Sequence, residues 1–163
     1  YSFIEKARPG IFFPEKADSL NIPRGPLWAK LQSGESIKLD DGTVIQPNQV
    51  LGDQRSGRKF SFITDTLYSD SIAKNVNNSD LLVCEGMFEE ALSASAKEKR
   101  HLTAKQAGLI AVNAGGIRKM GLIHYSPRYM DRELKVLLSE AKEVFPETVL
   151  CRDRDCFDIL HVD

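Results

Sequence analysis

From Arg58 onward the chain alternates short apolar runs with amphipathic stretches, and this alternation most constrains its fold. Residues 59–64 alternate into a strand that stops at Asp65, residues 67–76 read as a helix, and residues 80–84 as a buried strand. Residues 103–113 read as a helix, with Leu102 just before it and Gln106, Leu109, Ile110 and Asn113 along it at helical spacing, and Gly115-Gly116 ends that helix. Residues 119–123 form a strand that ends at His124, and residues 131–144 an amphipathic helix closed by Pro146. Residues 148–150 and 157–162 read as late strands. Strand following helix in this way implies a layered α/β sheet.

The first fifty residues have another character. Five of the seven prolines (Pro9, Pro14, Pro23, Pro26 and Pro47) fall there, with short apolar patches such as Leu27-Trp28-Ala29-Lys30-Leu31 between them. This reads as short helices and a hairpin, with strands at 36–39 and 43–45 turned by Asp41-Gly42. The expected division is therefore 1–51 and 52–163. The length of 163 residues and 42% hydrophobic content suffice for one ordinary core. No apolar run is long enough to span a bilayer and no signal-peptide layout opens the chain, so a cytoplasmic protein without membrane contact is expected. A first residue of Tyr1 in place of Met implies a processed, trimmed or partial chain. Cys84, Cys151 and Cys156 form neither an even set nor a CxxC pair; reduced thiols are expected, with Cys84 buried in its apolar run.

The net charge of −1 does not announce a nucleic-acid binder, but its distribution is uneven. Between Lys97 and Lys135 stand nine basic residues against three acidic ones. Such a surface can neutralise phosphates, or it can be a set of solvated helix faces. From Tyr1 to Val50 six basic residues match six acidic ones.

Three central strands each deliver a polar residue at or just past their C-terminal ends: Asp65, Glu85 and His124. That edge of an α/β sheet is where sites gather, because loops there present side chains from a rigid base. Asp and His are hard and borderline ligands for zinc. Each residue also has a plainer reading, Asp65 as a helix cap and His124 as a satisfied interior histidine. A catalytic zinc needs about three protein ligands, and the chain has only three histidines, His101, His124 and His161.

The run Gly121-Leu122-Ile123-His124-Tyr125-Ser126-Pro127-Arg128-Tyr129 resembles the last metal motif of ribonuclease Z enzymes, where a strand leads to His and then Ser-Pro-Arg-Tyr. Residues 57–66, ending Thr64-Asp65-Thr66, resemble the segment carrying that family's bridging aspartate. Cys84-Glu85-Gly86-Met87 is similar to its His-Glu-Ala-Thr motif, and His101-Leu102-Thr103 to its His-Ser-Thr motif. Asn21-Ile22-Pro23-Arg24-Gly25-Pro26-Leu27-Trp28 resembles the Gly-Pro segment of the family's tRNA-binding arm, and Asp40-Asp41-Gly42-Thr43-Val44-Ile45 fits it as well. Five motifs in order cover nearly the whole chain. Cys84, Met87, Thr64 and Leu102 depart from the usual residues, whereas Glu85 and His101 are retained, which fits a divergent subgroup.

The resemblance implies the C-terminal half of a metallo-β-lactamase-like αββα sandwich, with a protruding tRNA-binding arm at 1–51. It implies a zinc-dependent endoribonuclease that removes the 3′ trailer of precursor tRNA by metal-activated hydroxide attack and leaves a 3′-hydroxyl. Two zinc ions per complete site are implied, with Asp65 bridging them and His124 binding one. His101, supported by Glu85, would donate a proton to the leaving 3′ oxygen. Ser126 and Arg128 would contact substrate, Arg128 by binding phosphate or by bracing the site; Gly25 and Pro26 would contact it from the arm. Trp28 would pack within the arm or stack on a base. The family's His-x-His-x-Asp-His cluster is not in these residues, so the missing N-terminal half is an expected partner and the chain alone is expected to be inactive. A homodimer is implied by the same resemblance. The alternatives are another hydrolase or phosphodiesterase of the same fold, or a non-catalytic fragment.

Overall fold

A computed structural model describes residues 1–161. In chain order the elements are β1 (Ser2–Ile4), α1 (Pro14–Ser19), α2 (Pro26–Gln32), β2 (Ile37–Lys38), β3 (Val44–Ile45), β4 (Lys59–Ile63), α3 (Asp70–Val76), β5 (Leu81–Glu85), α4 (Ser93–Lys99), α5 (Ala104–Ala114), β6 (Lys119–Ile123), α6 (Leu134–Val144) and β7 (Thr148–Leu150). They form two compact units. One comprises Tyr1–Glu5 with Arg58–His161, the other Lys6–Gly57.

The larger unit is built on a five-stranded sheet of order β1-β4-β5-β6-β7, with β1 antiparallel and the remaining pairs parallel. Side chains alternate across a strand. Ser61 and Ile63, Leu82 and Cys84, and Met120 and Leu122 are buried, and all but Ser61 belong to one apolar cluster. Helices α5 and α6 complete that cluster with Ala107, Ile110, Leu137 and Ala141. Each fully buried Leu, Ile or Met contributes about 1.5–3 kcal/mol, so this layer fixes the strands in place. Cys84 is fully enclosed, and burial pushes its thiol pKa up, which leaves it inert.

Helix α5 starts sharply because Thr103 and Gln106 make a capping box. The Thr103 hydroxyl accepts from the Gln106 amide at 3.1 Å, and the Gln106 side chain accepts from the Thr103 amide at 3.0 Å. Gly108 lets α6 come close: a Cβ there would lie 2.9 Å from the Ala141 carbonyl oxygen.

Several boundaries differ from the sequence reading. Helix α3 begins at Asp70, not 67, because Ser69 caps it by accepting from the Ser71 amide. Helix α6 begins at Leu134, since residues 131–133 form a turn. The hairpin strands contract to Ile37–Lys38 and Val44–Ile45. Residues 157–161 make no strand; Phe157 and Ile159 lie beside Phe60, Phe62 and Val83 on the sheet face away from the helices. Val162, the last residue of that expected strand, lies outside the described residues. Strand β1 and helix α4 had no expectation, and β1 places Tyr1–Glu5 with the sheet, not with the proline-rich segment.

The smaller unit has its own core of Ala17, Ile22, Leu31, Ile37, Ile45 and Val50. Trp28 packs against it, its ring 5.0 Å from Phe12 and its indole N–H donating to the Ile22 carbonyl at 3.1 Å. The β2–β3 turn is set by the Asp41 carboxylate, which accepts from the Thr43 amide at 2.8 Å, and by Gly42 at φ 90°.

Candidate active site

The strand register gathers the polar residues at one edge. Ile63 pairs with Cys84 and Cys84 with Leu122, while Glu85 pairs with Ile123. Asp65 and His124 therefore emerge just beyond the level of Glu85, from the strands on either side of it.

Glu85 is the centre of the arrangement. It is fully buried, and both carboxylate oxygens are engaged. Oε1 accepts from the Thr66 amide at 2.6 Å, and Oε2 lies 3.1 Å from Nδ1 of His101. The second contact fixes the ring of His101 and directs Nε2 away from the carboxylate. The first fixes the loop that carries Asp65.

His124 has φ 59°, a left-handed conformation that costs energy for a residue with a Cβ and persists only when neighbours enforce it. They do so on both sides. The Tyr125 hydroxyl donates to the Leu122 carbonyl at 2.5 Å and accepts from the Cys151 amide at 3.0 Å, and the Ser126 amide donates to the Met87 carbonyl at 3.2 Å. The imidazole so placed has Nδ1 3.2 Å from Oδ1 of Asp65, with about a third of its side chain exposed. The rings of His101 and His124 meet edge-on at 5.1 Å. Asp65 caps no helix. Its carboxyl is held below the usual range, first by the Thr64 hydroxyl at 2.6 Å and further by the two imidazoles.

One ligand atom from each of Asp65, His101 and His124 lies within 4.8 Å of the others. A carboxylate oxygen with two imidazole nitrogens is a donor set suited to a divalent metal such as zinc, and a carboxylate behind a ligating histidine is the usual support. The spacing thus adds His101 to the two donors expected from sequence. Ser126 is buried and Arg128 follows it, Nε donating to Oγ at 3.3 Å. The Arg128 guanidinium sits 5.1 Å from the centroid of Phe88, and Lys99 Nζ 5.8 Å from the same ring. Gly25 and Pro26 lie in the smaller unit, where Gly25 precedes α2 at φ 128° and Pro26 opens that helix. Sequence reasoning missed the Thr66 anchor and the cation pair on Phe88, because both depend on contacts made only by folding.

Comparison with known proteins bears on what such an edge belongs to. The chain is 57% identical over 154 residues to "Ribonuclease Z" of Treponema denticola, covering 94% of this chain and 50% of that protein. It is 53% identical to "Ribonuclease Z" of Treponema pallidum over 94% of this chain and 49% of that protein. The chain is related to one half of ribonuclease Z. It spans about half the length of the curated relatives it matches. No protein-family model matches it. Among solved structures, the metallo-beta-lactamase fold protein YhfI from Bacillus subtilis aligns with a TM-score of 0.52 and 25% identity, over 63% of this chain and 42% of that one. The mixed α/β architecture is thus part of the metallo-beta-lactamase fold. Among the described residues no helix is long and apolar enough to cross a membrane.

Proposed function

We propose that this chain supplies half of a zinc-dependent endoribonuclease that removes the 3′ trailer from precursor tRNA. The observation that carries the reading is the meeting of Asp65, Glu85, His101 and His124 at one sheet edge, in a chain 57% identical to a ribonuclease Z. Asp65 and His124 would hold the metal, with the remaining ligands coming from the other half of the enzyme. When bound, zinc supplies positive charge that lowers the pKa of a water and offsets charge on the phosphate.

The residues of this chain then have defined tasks. A water oxygen forms a bond to phosphorus while the bond from phosphorus to the 3′ oxygen breaks. His101 gives its proton to that departing oxygen and is reprotonated afterwards, and the water's proton goes to solvent. Glu85 holds the imidazole by Nδ1, which leaves Nε2 to face the departing oxygen. Arg128, with Ser126 bracing it, faces the phosphate. The segment expected at 1–51, most of which falls in the compact unit Lys6–Gly57, would grip the tRNA body by shape, with Gly25 and Pro26 at the contact. A cytoplasmic homodimer is part of the same reading.

The test uses the full-length protein that carries this segment, given precursor tRNA and a small phosphodiester. Cleavage of the tRNA at its 3′ trailer, abolished by chelation, is expected. Hydrolysis of the small substrate alone would replace this reading with a small-molecule phosphodiesterase of the same fold.

A further inference from the structure

Beside His101 a cavity of about 450 Å³ opens between the loop after β4 and helix α4. Its walls are Leu67 and Tyr68 on one side, Ser93, Ala94 and Lys97 on the other, and Gln106 behind. The size falls within the range for small-molecule sites. The chemistry is mixed in a particular way: an aromatic ring and an exposed leucine, an amide, a hydroxyl and one cation, with no acidic side chain. No helix capping or core packing requires Leu67 to stand 43% exposed at this edge.

The wall of Leu67 and Tyr68 and the ring of His101 are tied to the same carboxylate. Glu85 holds the Thr66 amide with one oxygen, which positions Leu67 and Tyr68, and His101 with the other. The Tyr68 ring is fixed as well, since its hydroxyl accepts from the Asn113 side chain at 3.2 Å. The cavity is thus built in register with the proton-donating ring.

We infer that this cavity is the base pocket for the nucleotide on the 5′ side of the cut, whose 3′ oxygen receives the proton from His101. The inference rests on the nuclease reading above. That nucleotide must lie against His101, and the cavity is the concave surface beside it. Its base lies against Tyr68 and Leu67, and Lys97 meets the phosphate that precedes it. Stacking on an aromatic side chain accepts any base, so the pocket adds affinity and placement more than sequence choice.

A cycle of protein and substrate changes tests this with the full-length protein. Tyr68→Ala is measured against precursor tRNA that is intact, abasic just 5′ of the cut, or abasic just 3′ of it. Tyr68→Ala and the 5′ abasic substrate are each expected to lower kcat/KM roughly five- to hundredfold, the range of one base–aromatic contact. Combined, they are expected to cost little more than either alone, because they remove the same contact. The 3′ abasic substrate and Tyr68→Ala are expected to multiply. Leu67→Ala, at an exposed position, repeats the cycle should Tyr68→Ala unfold the domain in thermal melts. Penalties that multiply on the 5′ side, or coupling on the 3′ side instead, overturn the pocket while leaving the nuclease intact. Failure of the unaltered protein to cut intact precursor overturns both.

Discussion

Two imidazoles stand at the sheet edge, and their different surroundings separate their proposed roles. His101 has Nδ1 against the buried Glu85 and only 15% of its side chain exposed, whereas His124 points Nδ1 at Asp65 from a strained backbone. A proton donor needs an imidazole oriented by a carboxylate, and a metal ligand needs a nitrogen facing the position it shares with its co-ligands. Because the spacing also allows His101 to ligate, metal content distinguishes the roles more cleanly than activity does. In the full-length protein, His124→Asn is expected to lower bound zinc. His101→Asn is expected to keep the zinc and lower kcat by about 10²–10⁴, the usual worth of a positioned acid. Elemental analysis of both variants decides the matter; zinc loss in His101→Asn equal to that in His124→Asn would make His101 a ligand.

Among the elements, the pairing of α5 with α6 shows how a local preference is overruled by packing. Gly108 sits inside α5, where alanine ordinarily gains about 1 kcal/mol. A Cβ at Gly108 would stand 2.9 Å from the Ala141 carbonyl oxygen and 3.1 Å from the Val144 Cβ, and backbone does not yield as a side chain end does. Overpacking of this kind costs about 1–3 kcal/mol against that gain of about 1, so Gly108→Ala is expected to destabilise by up to about 2 kcal/mol net in denaturant unfolding. A gain in stability would show that α6 shifts freely. Strand β1 is tied to the sheet edge by Glu5, whose carboxylate accepts from Nε of Arg58 at 2.9 Å and whose pKa is lowered to about 2 chiefly by that pair. A carboxylate with a depressed folded pKa contributes fully above its ordinary value of 4.5, and the contribution fades as pH falls from there through about 2. Melting temperatures of the unaltered chain should therefore fall more steeply over that window than those of Glu5→Gln; parallel curves would show that the pair adds nothing. Most of the sheet was legible because period-two alternation and short apolar runs are local signals, as at residues 59–63 and 81–84. Strand β1 was not, since three exposed residues acquire strand character only by pairing with β4. The expected strand at 157–162 failed over its described residues for the converse reason: apolar alternation there serves a sheet face, with no ladder to join. At the site, the residue types at strand ends were readable, while the Thr66 anchor and the pocket at Tyr68 depended on tertiary placement.

At the scale of the whole molecule, a donor set of three atoms from one chain meets relatives twice its length. A catalytic zinc with three protein ligands and a bridging partner needs more than Asp65 and His124, and an incomplete site holds metal weakly because each missing ligand must be replaced by water. Metal bound only by the folded protein stabilises it by mass action, so the melting temperature reports the completeness of the site. The isolated 163-residue chain is expected to take up zinc weakly and to melt at nearly the same temperature with or without chelator. The full-length protein is expected to hold two zinc ions and to lose several degrees on chelation, about 3–4 kcal/mol at metal concentrations a few hundred times Kd. Two tightly held ions in the isolated chain would mean that residues 1–163 hold a complete site, with His101 among its ligands. Equal and small chelator effects on both proteins would mean that the sheet edge is not a metal centre, and that the approach of Asp65 to His124 at 3.2 Å is an ion pair and not a shared ligation.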